Sequence, residues 1–216
     1  MIYSKLLGAG VILAAAAMPN AAKAADAFAP AADRWTGPYV GVFGGYVSLD
    51  ADGEYEGEGV IDGGPVKGFL YGGQIGYNKQ IESAVLGIEA DIALSDADGD
   101  VVNDSGTEFA ATDLNYLATI RGRAGMLLGE SESTLLFATA GLAVAEFDVD
   151  FEGEAGTFTH LGVVAGGGLE HMLTEQISVK AEYNYMVTFD KDTGGSSGED
   201  IGYDGHVAKL GVNFHF

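Results

Sequence analysis

The stretch His206-Val207-Ala208-Lys209-Leu210-Gly211-Val212-Asn213-Phe214-His215-Phe216 decides how this chain is read. Side chains of an extended strand alternate between two faces. Ala208, Leu210, Val212, Phe214 and Phe216 therefore share one face, and Lys209, Gly211, Asn213 and His215 share the other. The apolar face continues to an aromatic at Phe216. That pattern predicts the closing strand of a barrel, with one face against lipid and the other against a polar interior.

Working outward to the other end, Lys5 precedes an apolar run over residues 6–17, then Pro19 and the small-residue site Ala22-Lys23-Ala24. This is the layout of a secretory signal peptide cleaved after Ala24. The run is too short for a membrane-spanning helix, which needs ~20 apolar residues. No later stretch is long and apolar enough either, so an integral protein of this sequence must be a closed barrel that pairs all its backbone groups within itself. The division expected is a signal peptide over residues 1–24, a periplasmic linker over 25–34 and an outer-membrane barrel over 35–216.

Composition narrows the function classes. Thirty-four glycines, ten tyrosines and eleven phenylalanines in 216 residues suit an aromatic-banded β structure. With no cysteine, disulfides and thiolate chemistry are excluded. The formal charge of −22 argues against nucleic acid as a partner. No repeat of solenoid or propeller period is apparent.

From Trp35 onward eight segments alternate in character, separated by long and short polar gaps in turn, as expected of an eight-stranded antiparallel transmembrane β-barrel. The clearest are residues 69–80, 85–94, 114–126, 177–185 and the C-terminal strand. Residues 39–49, 135–148 and 160–172 are assigned as strands by length and position. The pattern puts Leu86, Ile88, Ala90, Ile92, Leu114, Tyr116, Ala118 and Ile120 outside. Tyr39, Tyr46, Phe69, Tyr77, Tyr116, Tyr183, Tyr185, Phe214 and Phe216 lie near segment ends, as interfacial aromatic girdles do.

Charge separates the two regions of the chain. The strand-borne polar-face ions are Glu89, Asp91, Arg121, Arg123, Glu170, Lys180, Glu182 and Lys209, four acids and four bases. A solvated face would share the acidic bias of the chain, whereas a narrow lumen tolerates only paired charge. These eight are expected to form a lumenal salt-bridge network that plugs the barrel, with Glu89 and Asp91 facing Arg121 and Arg123 across one hairpin. The long gaps, residues 50–65, 95–111, 146–158 and 188–205, carry six, five, five and five acids, twenty-one of the 32 in the chain. They are expected to be extracellular loops. The short turns near Glu82, Gly129-Glu130 and Leu173-Thr174-Glu175 are expected at the periplasmic end.

Asp50-Ala51-Asp52-Gly53-Glu54 and Asp96-Ala97-Asp98-Gly99-Asp100 superficially look like calcium loops. Their glycine stands fourth rather than sixth and no bidentate glutamate closes a twelve-residue loop, so no specific metal site is assigned. A weak, diffuse attraction of divalent cations to the acidic loops is expected instead.

Two stretches add a family likeness. Trp35-Thr36-Gly37-Pro38-Tyr39-Val40-Gly41-Val42-Phe43-Gly44-Gly45-Tyr46 resembles the opening strand of the small porin-like major outer-membrane proteins of alphaproteobacteria, in the OmpA-like eight-stranded superfamily. Leu86-Gly87-Ile88-Glu89-Ala90-Asp91 followed by Ile120-Arg121-Gly122-Arg123-Ala124-Gly125 resembles their third and fourth strands. Leu169-Glu170-His171, Lys180-Ala181-Glu182-Tyr183 and Phe216 extend the likeness. It implies an outer-membrane protein whose C-terminal Val212, Phe214 and Phe216 form an assembly signal read by the barrel-insertion machinery. The acidic loops depart from the family, so no loop ligand is carried over.

Catalysis has weak support. Ser178, on a strand near His171, is the nearest approach to a serine–histidine pair, and no constellation of converging roles is visible. An eight-stranded barrel has interior room only for its own side chains, which disfavours a diffusion porin. The sequence is read as a monomeric, non-enzymatic, structural and surface-exposed barrel without cofactors, in contact with outer-membrane lipid and lipopolysaccharide. The alternatives are a narrow cation-preferring channel and loop-mediated binding of a ligand or host surface.

Overall fold

A computed structural model of the chain describes residues 33–53, 65–102, 108–151, 154–189, 191–192 and 200–216. The expected signal segment lies outside the described residues, as does the expected linker apart from Asp33 and Arg34.

Among the described residues nine strands are formed: β1 (Gly37–Gly53), β2 (Val66–Ile81), β3 (Ala84–Val102), β4 (Glu108–Leu128), β5 (Thr134–Phe151), β6 (Glu154–Met172), β7 (Ile177–Thr188), β8 (Lys191–Asp192) and β9 (Asp200–His215). Neighbours from β1 to β7 pair antiparallel in chain order, β9 pairs with β7, and β1 pairs with β9 to close the sheet. The two-residue β8 only extends the last hairpin along β9. The wall of the barrel is thus the eight strands β1–β7 and β9.

The register fixes the barrel's shape. Partners followed once around the wall run from Tyr39 through Gly76, Glu89, Arg121, Gly141, Val164, Met186 and Gly205 to Leu49. The path returns to β1 displaced toward the loop end. A stagger of this kind tilts the strands, typically 35–45° in barrels, and with eight strands leaves a lumen that side chains fill.

Alternation then sorts the residues. Ile88, Ile92, Ile120, Leu142, Leu161 and Leu210 are exposed on the exterior, while Glu89, Asp91, Arg121 and Lys209 between them are buried in the lumen. The barrel is therefore inside out relative to a soluble one, as a lipid solvent requires. At one end the hairpins close in short turns, where Glu82, Gly129 and Glu132 adopt left-handed backbone conformations (φ 54°, 77° and 51°). The start of β1 and the residue after β9 meet at this end: the Phe216 amide donates to the Pro38 carbonyl at 3.1 Å.

Several expectations need correction. Residues 95–111 and 146–158, read as polar loops, are mostly strand, since β3 runs to Val102, β4 starts at Glu108, β5 ends at Phe151 and β6 starts at Glu154. Cross-strand backbone pairing satisfies the main chain whatever the side chains, so these hairpins continue beyond the apolar band. Asp96-Ala97-Asp98-Gly99-Asp100 accordingly lies in β3 rather than in a calcium-like loop. There the Asp96 carboxylate accepts the Phe69 amide at 2.7 Å, beside the register shift between Leu94 and Ala97. Leu114 points into the lumen rather than outward, because a bulge inserts Asn115 between Leu114 and Tyr116, whose partners Phe147 and Glu146 are adjacent on β5. Tyr39 is not a girdle residue: it is wholly buried inside.

A closed lumen as the candidate functional site

The lumen holds three stacked layers. Its middle layer follows from the inward alternation of five strands, which brings all eight expected ions into one network. Arg121 on β4 lies opposite Glu89 on β3. Its Nη2 contacts Glu89 Oε1 at 2.6 Å and Asp91 Oδ2 at 2.7 Å, and its Nη1 pairs with Glu182 from the far wall. Arg123 Nη2 meets Glu170 Oε2 at 2.7 Å. Lys180 Nζ lies 2.8 Å from Glu89 Oε2 and 3.2 Å from Glu182 Oε2, and Lys209 Nζ lies 2.9 Å from Asp91 Oδ1. Every member is buried. Charges taken out of water are costly unless geometry and extra hydrogen bonds compensate, and here each acid meets at least one base.

Neutral side chains complete the layer, and most were not singled out by the sequence. The Tyr39 hydroxyl donates to Glu89 Oε2 at 2.7 Å and accepts from Arg123 Nη1 at 3.0 Å. The Tyr39 ring packs where a side chain at Gly76 would stand, so the adjacent strand must carry glycine there. Gln74 takes a hydrogen bond from Lys180 Nζ at 2.9 Å and pairs with Asn213, which itself donates to Glu170 Oε1 at 2.7 Å. Thr119 donates to Asp91 Oδ2 at 2.7 Å. Two bases also sit over rings, Arg123 above Phe137 (4.2 Å to its centroid) and Lys209 above Phe43 (4.7 Å). Inward facing of Asn213 and His215 was legible from the last strand. The inward use of Tyr39 was not, because an aromatic near a strand end serves either face.

Apolar layers close the lumen on both sides of the ions. Toward the loop end, Phe43, Val47, Leu49, Leu70, Leu114, Leu117, Phe147, Val164, Met186, Tyr203 and Val207 form one cluster. Phe147 and Tyr203 stack at 4.4 Å there, with His160 edge-on to both. At the short-turn end, Trp35, Val85, Leu127, Leu135, Phe137 and Met172 form a second cluster. Trp35 is fully buried and its Nε1 donates to the Glu132 carbonyl at 2.9 Å, while Arg34 Nη1 donates to Ser133 Oγ at 3.0 Å. Arg34 and Trp35, just before β1, are thereby tucked beneath the barrel as a stopper. The expected plug was ionic alone; the apolar layers went unread because alternation does not say how far along the barrel an inward residue sits.

The serine–histidine pair considered from sequence is not assembled. His171 is exposed on the exterior and shares a 2.8 Å contact with Thr134 Oγ1. Ser178 instead faces inward, donating to Glu170 Oε1 at 2.6 Å and lying 2.9 Å from His215 Nε2. Glu170 Oε1 approaches the same Nε2, at 3.4 Å. In a catalytic triad the acid holds the other ring nitrogen, leaving Nε2 to take the serine proton. Among the described residues no group of three or more histidines and acids converges on a metal-sized site.

Of the assembly-signal candidates, Val212 and Phe214 lie on β9 and Phe216 directly follows it. Val212, Phe214 and Phe216 are exposed on the exterior, and the Phe214 and Phe216 rings meet edge to face at 5.1 Å. Their strand is the one that closes the barrel against β1.

Known proteins agree with this geometry. The chain is 34% identical over 149 residues to the 22 kDa outer membrane protein of Rhizobium leguminosarum bv. viciae, covering 68% of this chain and 66% of that protein. It is 28% identical over 235 residues to the 31 kDa outer-membrane immunogenic protein of Brucella melitensis biotype 1, covering 100% of this chain and 91% of that protein. In fold it is similar to the outer membrane protein OprG of Pseudomonas aeruginosa (TM-score 0.56, 14% identity, 84% of this chain and 96% of that one). A family model described as the outer membrane protein beta-barrel domain matches residues 9–216. The chain belongs to this family of outer-membrane β-barrel proteins.

Proposed function

We propose that this barrel serves the outer membrane as a structural, surface-exposed and non-enzymatic monomer. The observation that carries the reading is the sealed lumen, in which a fully paired ionic layer is clamped between two apolar layers. A continuous water path would have to break both the buried ion pairs and the apolar contacts. The Ser178, His215 and Glu170 arrangement supports the non-enzymatic part, since both partners crowd one histidine nitrogen. The eight ions act as a structural plug in this reading, and Val212, Phe214 and Phe216 as the signal met by the insertion machinery.

The acidic loop end would face outward and meet lipopolysaccharide. Asp98, Asp113 and Asp148 stand in direct register on β3, β4 and β5, a like-charge row whose mutual repulsion favours the gathering of cations there. A diffuse layer of divalent cations shared with lipid phosphates would relieve it. Surface display also accords with the immunogenic character named for the Brucella relative. Planar-bilayer recording of the refolded protein, with and without divalent cations, tests the reading. The expected result is no stable conductance in either condition; steady cation-selective openings would establish the narrow-channel alternative.

A further inference from the structure

Tyr183, Ala208, Tyr46 and Phe69 are cross-strand partners in one row over the exterior of β7, β9, β1 and β2. Tyr183, Tyr46 and Phe69 are exposed, and such rings mark the depth of the lipid headgroups in barrels. Two residues further toward the loop end, the same strands carry a second exterior row of Tyr185, His206, Ser48 and Lys67. His206 and Lys67 are exposed and Ser48 is partly so.

This row departs from its surroundings. The exterior of the loop end otherwise presents Asp50, Asp96, Asp98, Asp113, Glu146 and Asp148. Among the described side chains, Lys67 is the one lysine or arginine on that exterior. The four lumenal bases, Arg34 at the stopper and Lys79 near the short turns lie elsewhere. His206 is held in place: its Nδ1 is 2.7 Å from the Tyr183 hydroxyl, and its ring stacks on Tyr183 at 5.6 Å and leans on Tyr185 at 5.0 Å. With the Tyr183 hydroxyl donating to Nδ1, the ring hydrogen sits on Nε2 and is available to an acceptor outside the barrel. Tyr185 donates its own hydroxyl hydrogen to Asp204, the acid next along β9 on this face.

Adjacent strands are ~4.8 Å apart, so Ser48 stands one strand from each of the His206 and Lys67 backbones, and the long, exposed Lys67 side chain can bring its ammonium to a phosphate held beside Ser48 and His206. Asp98, opposite Lys67 on β3, bounds the row on its far side. We infer that His206, Ser48 and Lys67 form a seat for a phosphate of an outer-leaflet lipid headgroup. The inference rests on the outward orientation proposed above.

The test uses the folded, delipidated protein in micelles, with diphosphorylated lipid A and its enzymatically dephosphorylated form as probes. Wild type should bind the phosphorylated form about ten-fold more tightly than the other, the scale of one charge-assisted hydrogen bond. The double variant Lys67→Ala, His206→Phe should lose that preference, as should Ser48→Ala in part, while Lys79→Ala keeps it. A retained heat-shift on gels verifies that each variant is folded. Equal binding of the two probes by wild type, or an equal loss in Lys79→Ala, would overturn the site. Orientation is read separately, by labelling Asp98→Cys in intact cells with a membrane-impermeant thiol reagent. Failure to label overturns the outward reading, whatever the micelle result.

Discussion

Arg121 touches three carboxylates from two sides of the barrel, so its substitution is unlike the loss of a surface charge. Arg121→Ala leaves Glu89, Asp91 and Glu182 short of a base in a dry interior, and should cost about 3–5 kcal/mol in urea unfolding from lipid vesicles. Tyr39→Phe removes a hydroxyl that both donates and accepts, and should cost about 1–3 kcal/mol in the same assay. These two residues also differ in how openly the sequence announces them. An arginine in an alternating strand of a strongly acidic chain has few places to go, and its neighbours of opposite sign narrow the choice further. A tyrosine near a strand end suits the lipid interface and the lumen equally, and only the glycine across from it at Gly76 decides the matter.

At the scale of the element, β9 does two jobs. Its inward face supplies Lys209, Asn213 and His215 to the lumen, and its outward face meets lipid before the strand closes on β1. Deleting Phe216 should slow insertion by the assembly machinery several-fold while shifting the unfolding midpoint of refolded protein little, because that ring is exposed rather than packed. Pulse-chase folding in cells, set beside urea titration in vitro, separates the two effects. On β3, Ile88 is an exterior mid-strand residue, and Ile88→Arg should cost about 2–4 kcal/mol and weaken the heat-shift on gels. Alternation made β2, β3, β7 and β9 readable, since each keeps one clean apolar face. It failed at β4, where the bulge at Asn115 reverses the facing of Leu114, and at the hairpin ends, where pairing outlasts the apolar pattern.

For the whole molecule, the three-layer lumen makes the seal redundant. Trp35→Ala should destabilise the barrel by about 3–5 kcal/mol through loss of a wholly buried ring. It should nonetheless leave planar bilayers silent, because the ionic layer and the loop-end cluster remain above the gap. A steady current from that single variant would show instead that the stopper alone holds the lumen shut.

What the sequence by itself determined is the sign of each face and the class of solvent it meets. Period-two alternation, a charge-neutral inner set and an acidic set of hairpin ends follow from local order along the chain, and they suffice for a barrel in lipid. What only the tertiary structure decided is which inward residues share a level. That depends on the stagger that carries the register from Tyr39 around to Leu49, a property of the closed sheet that no single strand contains. Closure is what lifts Phe147 beside Tyr203, sets Glu182 against Arg121 and slides Trp35 beneath them all.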